Sequence, residues 1–556
     1  MEGSKIGLNI LFLMELLLVI FSCKNESQTA DLIITDARIW TGNINQPWAE
    51  AIAIHSDTIM AVGNNEEILK LKGNNSIIRN LKSMLIVPGF IDSHVHLLTG
   101  GFNLSSVQLR DADTKEEFIR RISEYAKSVK PGTWILGGDW DHTLWGGTLP
   151  EKNWIDKVTP DNPVFVTRLD GHMSLANTLA LKLAGIEENV QDIDGGAIVR
   201  NSSGKLTGVI KEKAAMLIER KIPPPSDEQT DKALIKAMDY VASKGVTSVH
   251  HMGGNLEAIE RARNNHSLIT RIYAMTNLEN WKELKEKIKK DGKGDKWLKI
   301  GGVKGFIDGS LGSHTAAFLA PYSDSPADRG LFVNSVDDLY KWTLNADKEG
   351  LQVMIHAIGD RAIHYLLDMY DSVAKENGPK DRRFRIEHAQ HIAPSDIVRF
   401  SRAAVIPGMQ PYHLIDDGRW AEKVIGPERI QTTYAFKSLF DSGATLAFGS
   451  DWFVAPPTPL EGIYSAVTRR TLDDKNPDGW VPEQKITVEQ ALTAYTKNGA
   501  YASFEEDIKG TLDPGKLADF VVIDRDITRI DPIRIREAKI LQTFVGGKKV
   551  YDSNGK

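Results

Sequence analysis

The sequence contains a single cysteine, Cys23, among 556 residues. One thiol cannot form an internal disulfide, and it excludes a structural zinc site built from several cysteines. An excess of positive charge is also missing, because 68 lysines and arginines face 74 aspartates and glutamates, giving a net charge of -6. Without a polycationic surface, a nucleic-acid partner is not expected. There is no internal repeat and no low-complexity tract, which excludes a solenoid or a repetitive linker.

The composition is that of a globular protein, with 41% hydrophobic and 26% charged residues. A chain of this length can bury a large core and is expected to form two domains.

The N-terminus has features of a secretion signal. The apolar run 6–21 is too short and too interrupted for a confident spanning helix, but it suits the apolar region of a signal peptide. The residues 20–23 (IFSC) resemble a bacterial lipoprotein cleavage box, in which the cysteine becomes the lipidated first residue. We therefore predict a signal segment over 1–23, membrane contact only through a lipid anchor at Cys23, and a location in the bacterial cell envelope. An uncleaved anchor and a cytoplasmic protein with a misassigned start are the alternatives.

The domain pattern is discontinuous. Short β-rich stretches separated by turns occupy 24–85 and return at 500–556, which predicts one small β domain built from both ends of the chain. Between them, over 86–499, strand-like runs alternate with helix-like segments, as parallel βα units do. Eight candidate strands predict a (β/α)8 barrel, namely 86–96, 246–250, 271–275, 302–307, 352–356, 385–388, 405–409 and 445–448. Residues from about 99 to 240 are then an insertion after the first strand.

Two histidines in the first barrel strand suggest a metal site. His94 and His96 are two residues apart, so on a strand their side chains point to the same face and converge on one ion. A histidine pair on a hydrated sheet face is the alternative.

Further polar residues end other barrel strands. Active sites of such barrels lie where the strands end, and Lys304, His356, His388 and Asp451 all lie at strand ends. A lone histidine on an apolar strand is usually a core residue, but four histidines and an aspartate at four strand ends are harder to explain that way. Imidazole and carboxylate ligands suit zinc or another first-row divalent ion with a position open for water.

The residues other than histidine have alternative roles. Asp451 is predicted as a general base that later acts as an acid, with a metal ligand or an orienting residue as alternatives. Lys304 either pairs with a buried carboxylate or, as a neutral amine, takes up carbon dioxide to form a carbamate that bridges two metals. Glu387 is adjacent to His388, so strand alternation predicts that it points to the outer layer and is not a ligand.

Six segments together resemble the amidohydrolase superfamily, and within it the third amidohydrolase family. This is the YtcJ-like group, which includes N-substituted formamide deformylases, and the resemblance spans residues 31 to 551. The segments are 88–96 (PGFIDSHVH), 303–304 (VK) with 307–313 (IDGSLGS), 355–360 (IHAIGD), 386–389 (IEHA), 448–451 (FGSD) and 510–523 (GTLDPGKLADFVVI).

The resemblance implies a distorted α/β (β/α)8 TIM barrel with a small flanking β-sandwich domain, and metal-dependent hydrolysis of carbon–nitrogen bonds, usually amides. It implies that Asp451 is catalytic, and that the metal site has one or two divalent ions, zinc being expected. The residues that match its metal ligands are His94, His96, Lys304, His356 and His388.

Substrate contacts are predicted in three places. Arg168, Asp170 and His172 resemble the family's substrate-loop motif, although Asp170 with Gly171 also forms a good turn. His250, beside His251, and His314 lie where the family often has aspartate and arginine, so both are predicted to face the substrate, with solvated loop histidines as the alternative. Asp360 is predicted as a helix N-cap, with a catalytic acid as the alternative.

The expected function is a metal hydrolase that cleaves an amide-type bond of a small molecule. An ester or lactone hydrolase on the same site is one alternative, because fold and metal do not determine the scissile bond. A lipid-anchored binding protein without turnover is another.

Overall fold

The structure, a computed structural model, describes residues 29–555. The predicted signal segment and Cys23 lie outside the described residues, so the lipid anchor and the envelope location stay predictions. Within 29–555, no helix is both long enough and apolar enough to cross a membrane.

The centre of the fold is a parallel sheet of eight strands that follow one another in chain order. We call them barrel strands 1 to 8; they are Phe90–Val95, Val246–His251, Arg271–Asn277, Leu298–Phe306, Gln352–Ala357, Arg385–His388, Ile406–Met409 and Ala447–Phe448. Strand 8 returns to strand 1, where the Asp451 N–H donates to the His94 carbonyl over 2.7 Å and the His96 N–H to the Trp452 carbonyl over 2.6 Å. These bonds nearly close the barrel and confirm the predicted fold class.

Helices surround the barrel. Their apolar faces pack on the strands, and helix Asp360–Asn377, for example, buries Ile363, Leu366 and Leu367. From residue 227 onward the helices are Asp227–Ser243, Leu256–Asn264, Trp281–Asp291, Val336–Lys348, Asp360–Asn377, Ile397–Arg402, Pro411–Asp417, Ala421–Ile425, Phe436–Asp441, Pro459–Thr468, Val488–Tyr495 and Lys497–Tyr501. The N-cap prediction for Asp360 is wrong, because Gly359 is the cap and Asp360 instead accepts the Leu319 N–H over 2.7 Å.

The predicted first strand, 86–96, is two strands in two different sheets. Leu85–Pro88 pairs with Phe520–Ile523 in the β domain, and Phe90–Val95 is barrel strand 1. Gly89 lies between them, packed so tightly that a Cβ atom there would be 2.2 Å from Thr247 Oγ1. The apolar residues of this segment predicted a single strand. In the structure, the chain leaves one sheet and enters the other between Pro88 and Gly89.

The β domain combines both ends of the described chain in two sheets. Six strands form the first sheet, in the order Lys548–Asp552, Ile540–Val545, Phe520–Ile523, Leu85–Pro88, Arg38–Trp40 and Trp48–Ala49. Four form the second, in the order Thr58–Gly63, Ala51–His55, Ala30–Thr35 and Lys72–Asn80. Ile34, Ile52, Phe520 and Phe544 are buried in one apolar cluster that draws on both sheets. The short helix Asn65–Leu69 precedes the last of these strands.

The insertion has its own six-stranded sheet and its own apolar clusters. Its strands are Val107–Gln108, Gly137–Trp140, Phe165–Arg168, Met173–Ala176, Gly196–Arg200 and Leu206–Glu212. Its helices are Leu97–Asn103, Lys115–Ser128, Lys152–Ile155, Thr178–Ala184 and Met216–Glu219. Arg168 ends one of these strands, and its side chain lines the cavity at the mouth of the barrel.

A buried ion pair joins the barrel to the β domain. Arg271, at the start of barrel strand 3, donates from Nε and Nη2 to the Asp519 carboxylate over 2.7 and 2.9 Å. The Gly546 N–H donates to the same carboxylate over 2.7 Å. Both side chains are buried, so neither charge is hydrated if the other is removed.

Replacing Asp519 by alanine is expected to lower the free energy of unfolding by about 3–5 kcal/mol, because Arg271 is left as a buried, unpaired charge. The measurement is the chemical denaturation midpoint. Asp441→Ala is the matched control, since Asp441 pairs with Lys437 on the surface and should contribute less than about 1 kcal/mol. Equal shifts in the two variants would contradict a structural role for the buried pair.

Candidate metal centre and active site

The four predicted histidines gather at the C-terminal ends of the barrel strands. The ring centroid of His388 is 4.8 Å from that of His94 and 4.4 Å from that of His356, and His94 is 5.8 Å from His96. One ligand atom each of His94, His388 and Asp451 lies within 4.8 Å of the others. This spacing is suitable for a shared metal ion.

In three of the histidine rings, one nitrogen contacts an oxygen atom. His94 Nδ1 contacts the Glu387 carboxylate at 2.5 Å, and His388 Nδ1 contacts Gln410 Oε1 at 2.9 Å. His356 Nε2 contacts the Gly309 carbonyl at 3.1 Å. Because these oxygens accept, the proton lies on the contacted nitrogen and the other ring nitrogen keeps its lone pair, as in metal-binding histidines.

The electrostatics favour neutral imidazoles. Burial lowers the pKa of His94 and His356 far below the usual range and that of His388 to about 3. His94 Nε2 is buried and has no hydrogen-bond partner within residues 29–555. A cluster of buried neutral imidazoles beside a carboxylate, with free nitrogen lone pairs, fits a divalent cation.

Asp451 connects the first two histidines. Its Oδ1 is 3.4 Å from the Nε2 atoms of both His94 and His96. The backbone of Asp451 is left-handed, with φ of 59°, which accompanies the hydrogen bond of its N–H to strand 1. Burial acts to raise the pKa of Asp451, but the His96 hydrogen bond and the nearby histidines hold it below its ordinary value. Asp451 is therefore ionised and can accept a proton.

The predicted orientation of Glu387 is wrong. Its side chain lies inside the barrel, where it contacts His94 and forms an ion pair with Arg385 at 2.7 Å. Strand alternation fails here because His388 has a left-handed backbone, with φ of 72°, so consecutive side chains both turn inward. Glu387 holds the His94 ring in place.

Lys304 lies on barrel strand 4 with its amine buried. Nζ has no hydrogen-bond partner in the described part of the chain and lies 4.2 Å from the centroid of the Phe306 ring. Burial lowers the pKa of this amine to about 8, although the charges of Glu387 and Asp451 oppose the shift. The amine is therefore mostly protonated near neutral pH, but its neutral form is far more populated than that of an exposed lysine.

The strand ends open into a cavity of about 270 Å³. His96, Lys304, His356, His388 and Asp451 line its floor. Apolar side chains contribute to the wall, among them Leu311, Trp420 and Phe453. The cavity can therefore hold a small molecule with an apolar part next to the histidine cluster.

The insertion contributes the predicted Arg168, Asp170 and His172 to this cavity. Arg168 Nη1 donates to Asp170 over 2.6 Å, and its Nη2 donates to Asp141 over 3.3 Å. His172 Nδ1 is 3.2 Å from Glu212. Burial acts to lower the pKa of His172, but Glu212 and nearby carboxylates raise it overall.

Two of the predicted substrate contacts lie outside this cavity. His250 is buried, with Nδ1 at 2.9 Å from Arg385 Nη1, and it does not line the cavity, because its strand position faces the barrel core. His314 does not line the cavity either, and its Nε2 lies 3.0 Å from Asp324 Oδ1. His251 is a core residue as well, and its Nδ1 accepts the Leu97 N–H over 3.2 Å.

Sequence reasoning missed three residues near the site. Asp92 accepts the N–H groups of Ser450 and His94, over 2.9 and 3.3 Å, and so couples strands 1 and 8; burial raises its pKa to about 7. Asp92 lies two residues before His94 on the same strand, and this spacing could have predicted that both side chains point to the same face. Gln410 and His413 follow strand 7 without a motif, and only the folded chain places them beside His388.

Buried neutral histidines and an aspartate, at the ends of strands in a (β/α)8 barrel, form a site that can hold a divalent metal ion. Residues 78–551 match the model of the amidohydrolase family. The chain therefore belongs to that family. It is an enzyme that acts on carbon–nitrogen bonds other than peptide bonds.

Relatives of similar length support this assignment. The chain is 40% identical over 537 residues to Protein LONG AFTER FAR-RED 3 of Arabidopsis thaliana (94% of this chain, 92% of the relative). It is 29% identical to YtcJ of Bacillus subtilis (strain 168) (91% and 96%), and 26% identical to N-substituted formamide deformylase of Arthrobacter pascens (95% and 100%). The predicted YtcJ-like and deformylase relationship is confirmed.

A solved structure shares the fold. A metal-dependent hydrolase of uncharacterized function from Pyrococcus horikoshii OT3 superposes with a TM-score of 0.73 at 28% identity. The match covers 90% of this chain and 99% of that one.

Replacing Glu387 by glutamine is expected to weaken metal binding by roughly 10–100-fold, because the amide can present its NH₂ group to His94 Nδ1 and no longer fixes the ring. Competition against a zinc chelator measures the affinity. Glu505→Gln is the control, since Glu505 also forms a buried pair, with Lys509 at 2.9 Å, but does not line the cavity. Unchanged affinity in Glu387→Gln would show that His94 does not depend on this contact.

Proposed function

We propose that the protein hydrolyses an amide-type carbon–nitrogen bond in a small molecule, with zinc as the expected metal. The proposal is carried by the cluster of His94, His388 and Asp451 at the floor of a partly apolar cavity. The deformylase among the relatives acts, by its name, on N-substituted formamides, which makes these compounds the first substrates to test.

The residues that would hold the metal are His94, His96, His356 and His388. A divalent ion bound there activates water and polarises a carbonyl group. Lys304, as a carbamate, would supply oxygens for a second ion, and its buried amine without a hydrogen-bond partner in residues 29–555 supports this role.

Asp451 would move the proton. It takes a proton from the water that attacks the carbonyl carbon and transfers it to the amide nitrogen as the carbon–nitrogen bond breaks. The products are a carboxylic acid and an amine. The ionised state of Asp451 and its position between His94 and His96 suit both proton transfers.

The substitution Asp451→Asn is expected to reduce kcat by roughly 10²–10⁴-fold on N-substituted formamides, because the amide side chain cannot accept the proton. Asp324→Asn, outside the cavity, should retain wild-type kcat. The assay compares formamides with formate esters carrying the same substituent. Turnover of esters alone would favour the ester hydrolase, and binding without any turnover would favour the binding protein.

Lys304→Ala is expected to remove one of two metal ions per chain, because the bridging carbamate is lost. Metal content by inductively coupled plasma mass spectrometry is the measurement. Lys299→Ala is the matched control, since Lys299 lies on the same strand but donates to the backbone carbonyls of Ser503 and Phe504. One ion per wild-type chain, unchanged in Lys304→Ala, would contradict the bridging role.

A further inference from the structure

One part of the cavity wall carries more negative than positive side chains. It is built by the insertion and by the segment that follows barrel strand 7, and we call it the charged wall. Four aspartates and two arginines line it, namely Asp141, Asp170, Asp416, Asp417, Arg168 and Arg419. The charged wall therefore has two carboxylates more than it has guanidinium groups.

Three of these aspartates already have an arginine partner. Arg168 Nη1 is 2.6 Å from Asp170 Oδ2, and Arg168 Nη2 is 3.3 Å from Asp141 Oδ1. Arg419 Nη2 pairs with Asp416 Oδ1. The fourth aspartate is therefore left without a positively charged partner from the charged wall.

Asp417 is this fourth aspartate, and it is the last residue of helix Pro411–Asp417. Its Oδ2 accepts the hydroxyl hydrogen of Tyr434 over 2.6 Å, whereas its Oδ1 accepts no hydrogen bond within residues 29–555. Oδ1 is not among the unpartnered atoms that the fold buries completely, and Asp417 lines the cavity. One oxygen of this carboxyl group is therefore open to a ligand.

The surroundings of Asp417 leave it short of positive charge. Burial raises its pKa to about 7, and the charge of Asp416 adds to the increase. The hydrogen bond from Tyr434 and the charges of Arg419 and Arg168 offset only part of the increase. A cation next to Oδ1 would keep the carboxylate ionised and supply the missing opposite charge.

An aromatic residue lines the cavity close to Asp417 in the chain. Trp420 follows Asp417 by three residues, and its backbone N–H donates to the Asp417 carbonyl over 2.9 Å. The side chain of Trp420 also lines the cavity. A carboxylate combined with an aromatic ring favours an ammonium or guanidinium group over an uncharged or negative one.

We propose that Asp417 is a specificity-determining residue that binds a positively charged amine of the substrate. The inference rests on the proposed function and names its substrate class, namely amides in which one substituent ends in an ammonium group. The ammonium group donates to Asp417 Oδ1, while the alkyl chain lies against the apolar side chains of Leu311, Trp420 and Phe453. The amide group at the other end of the chain then reaches the histidine cluster.

The test uses pairs of substrates that differ only in charge. N-(aminoalkyl)formamides of increasing chain length are each compared with the N-alkylformamide in which a methyl group replaces the ammonium group. At the chain length that fits best, the wild type should prefer the charged substrate by roughly 10–100-fold in kcat/KM, mainly through a lower KM, because a charge-assisted hydrogen bond forms. The ratio of the two kcat/KM values is the readout, and a general loss of active enzyme leaves this ratio unchanged.

Two substitutions test the residues that form the subsite. Asp417→Asn retains an oxygen for the Tyr434 hydroxyl but removes the charge, so the ratio should fall nearly to one. Trp420→Leu removes the aromatic ring and should lower the ratio by a smaller factor, roughly 2–10-fold. In the wild type the ratio should rise as the pH increases through about 7, because Asp417 ionises, and Asp417→Asn should show no such rise.

Asp473→Asn is the matched control, because Asp473 lines a neighbouring groove together with Arg419 and Trp420 but does not line the cavity. It removes one nearby negative charge and should retain the wild-type ratio. Equal kcat/KM for charged and uncharged formamides in the wild type, or an unchanged ratio in Asp417→Asn, would overturn the inference and leave the proposed function intact. A wild-type enzyme that turns over neither member of any pair would overturn the proposed function and this inference together.

Discussion

The active site depends on the fixed orientation of buried, neutral imidazole rings. Each ring has two nitrogens, and a metal-binding site needs one lone pair directed inward while the other nitrogen donates to an oxygen. Glu387, Gln410 and the Gly309 carbonyl provide those oxygens for His94, His388 and His356. Burial keeps the rings neutral, and the same burial makes an unpaired N–H costly, so the supporting oxygens are as necessary as the histidines.

The barrel supports this arrangement through its closure. Asp451 donates its N–H to the His94 carbonyl, while Asp92 accepts the N–H groups of both His94 and Ser450. The same few bonds that join strands 8 and 1 therefore determine where Asp451 lies relative to the first two histidines. Left-handed backbone at His388 and Asp451 turns both side chains inward, a conformation that surrounding hydrogen bonds must stabilise.

The insertion and the β domain contribute in different ways. The insertion, which has a separate sheet, brings Arg168, Asp170 and His172 to the cavity. The β domain buries its own core and is linked to the start of barrel strand 3 by Arg271 and Asp519. The histidine cluster and the rest of the cavity wall thus come from different parts of one chain, while the β domain packs at the opposite end of the barrel.

The amino-acid sequence alone determined the alternation of strands and helices, and with it the barrel and the positions of His94, His96, Lys304, His356, His388 and Asp451 at strand ends. Periodicity and spacing are local properties, so they can be read without coordinates. Tertiary structure alone decided that Glu387 turns inward, that His250 faces Arg385, and that His413 lines the cavity. These outcomes depend on single backbone angles and on contacts between residues far apart in the chain, which no local pattern encodes.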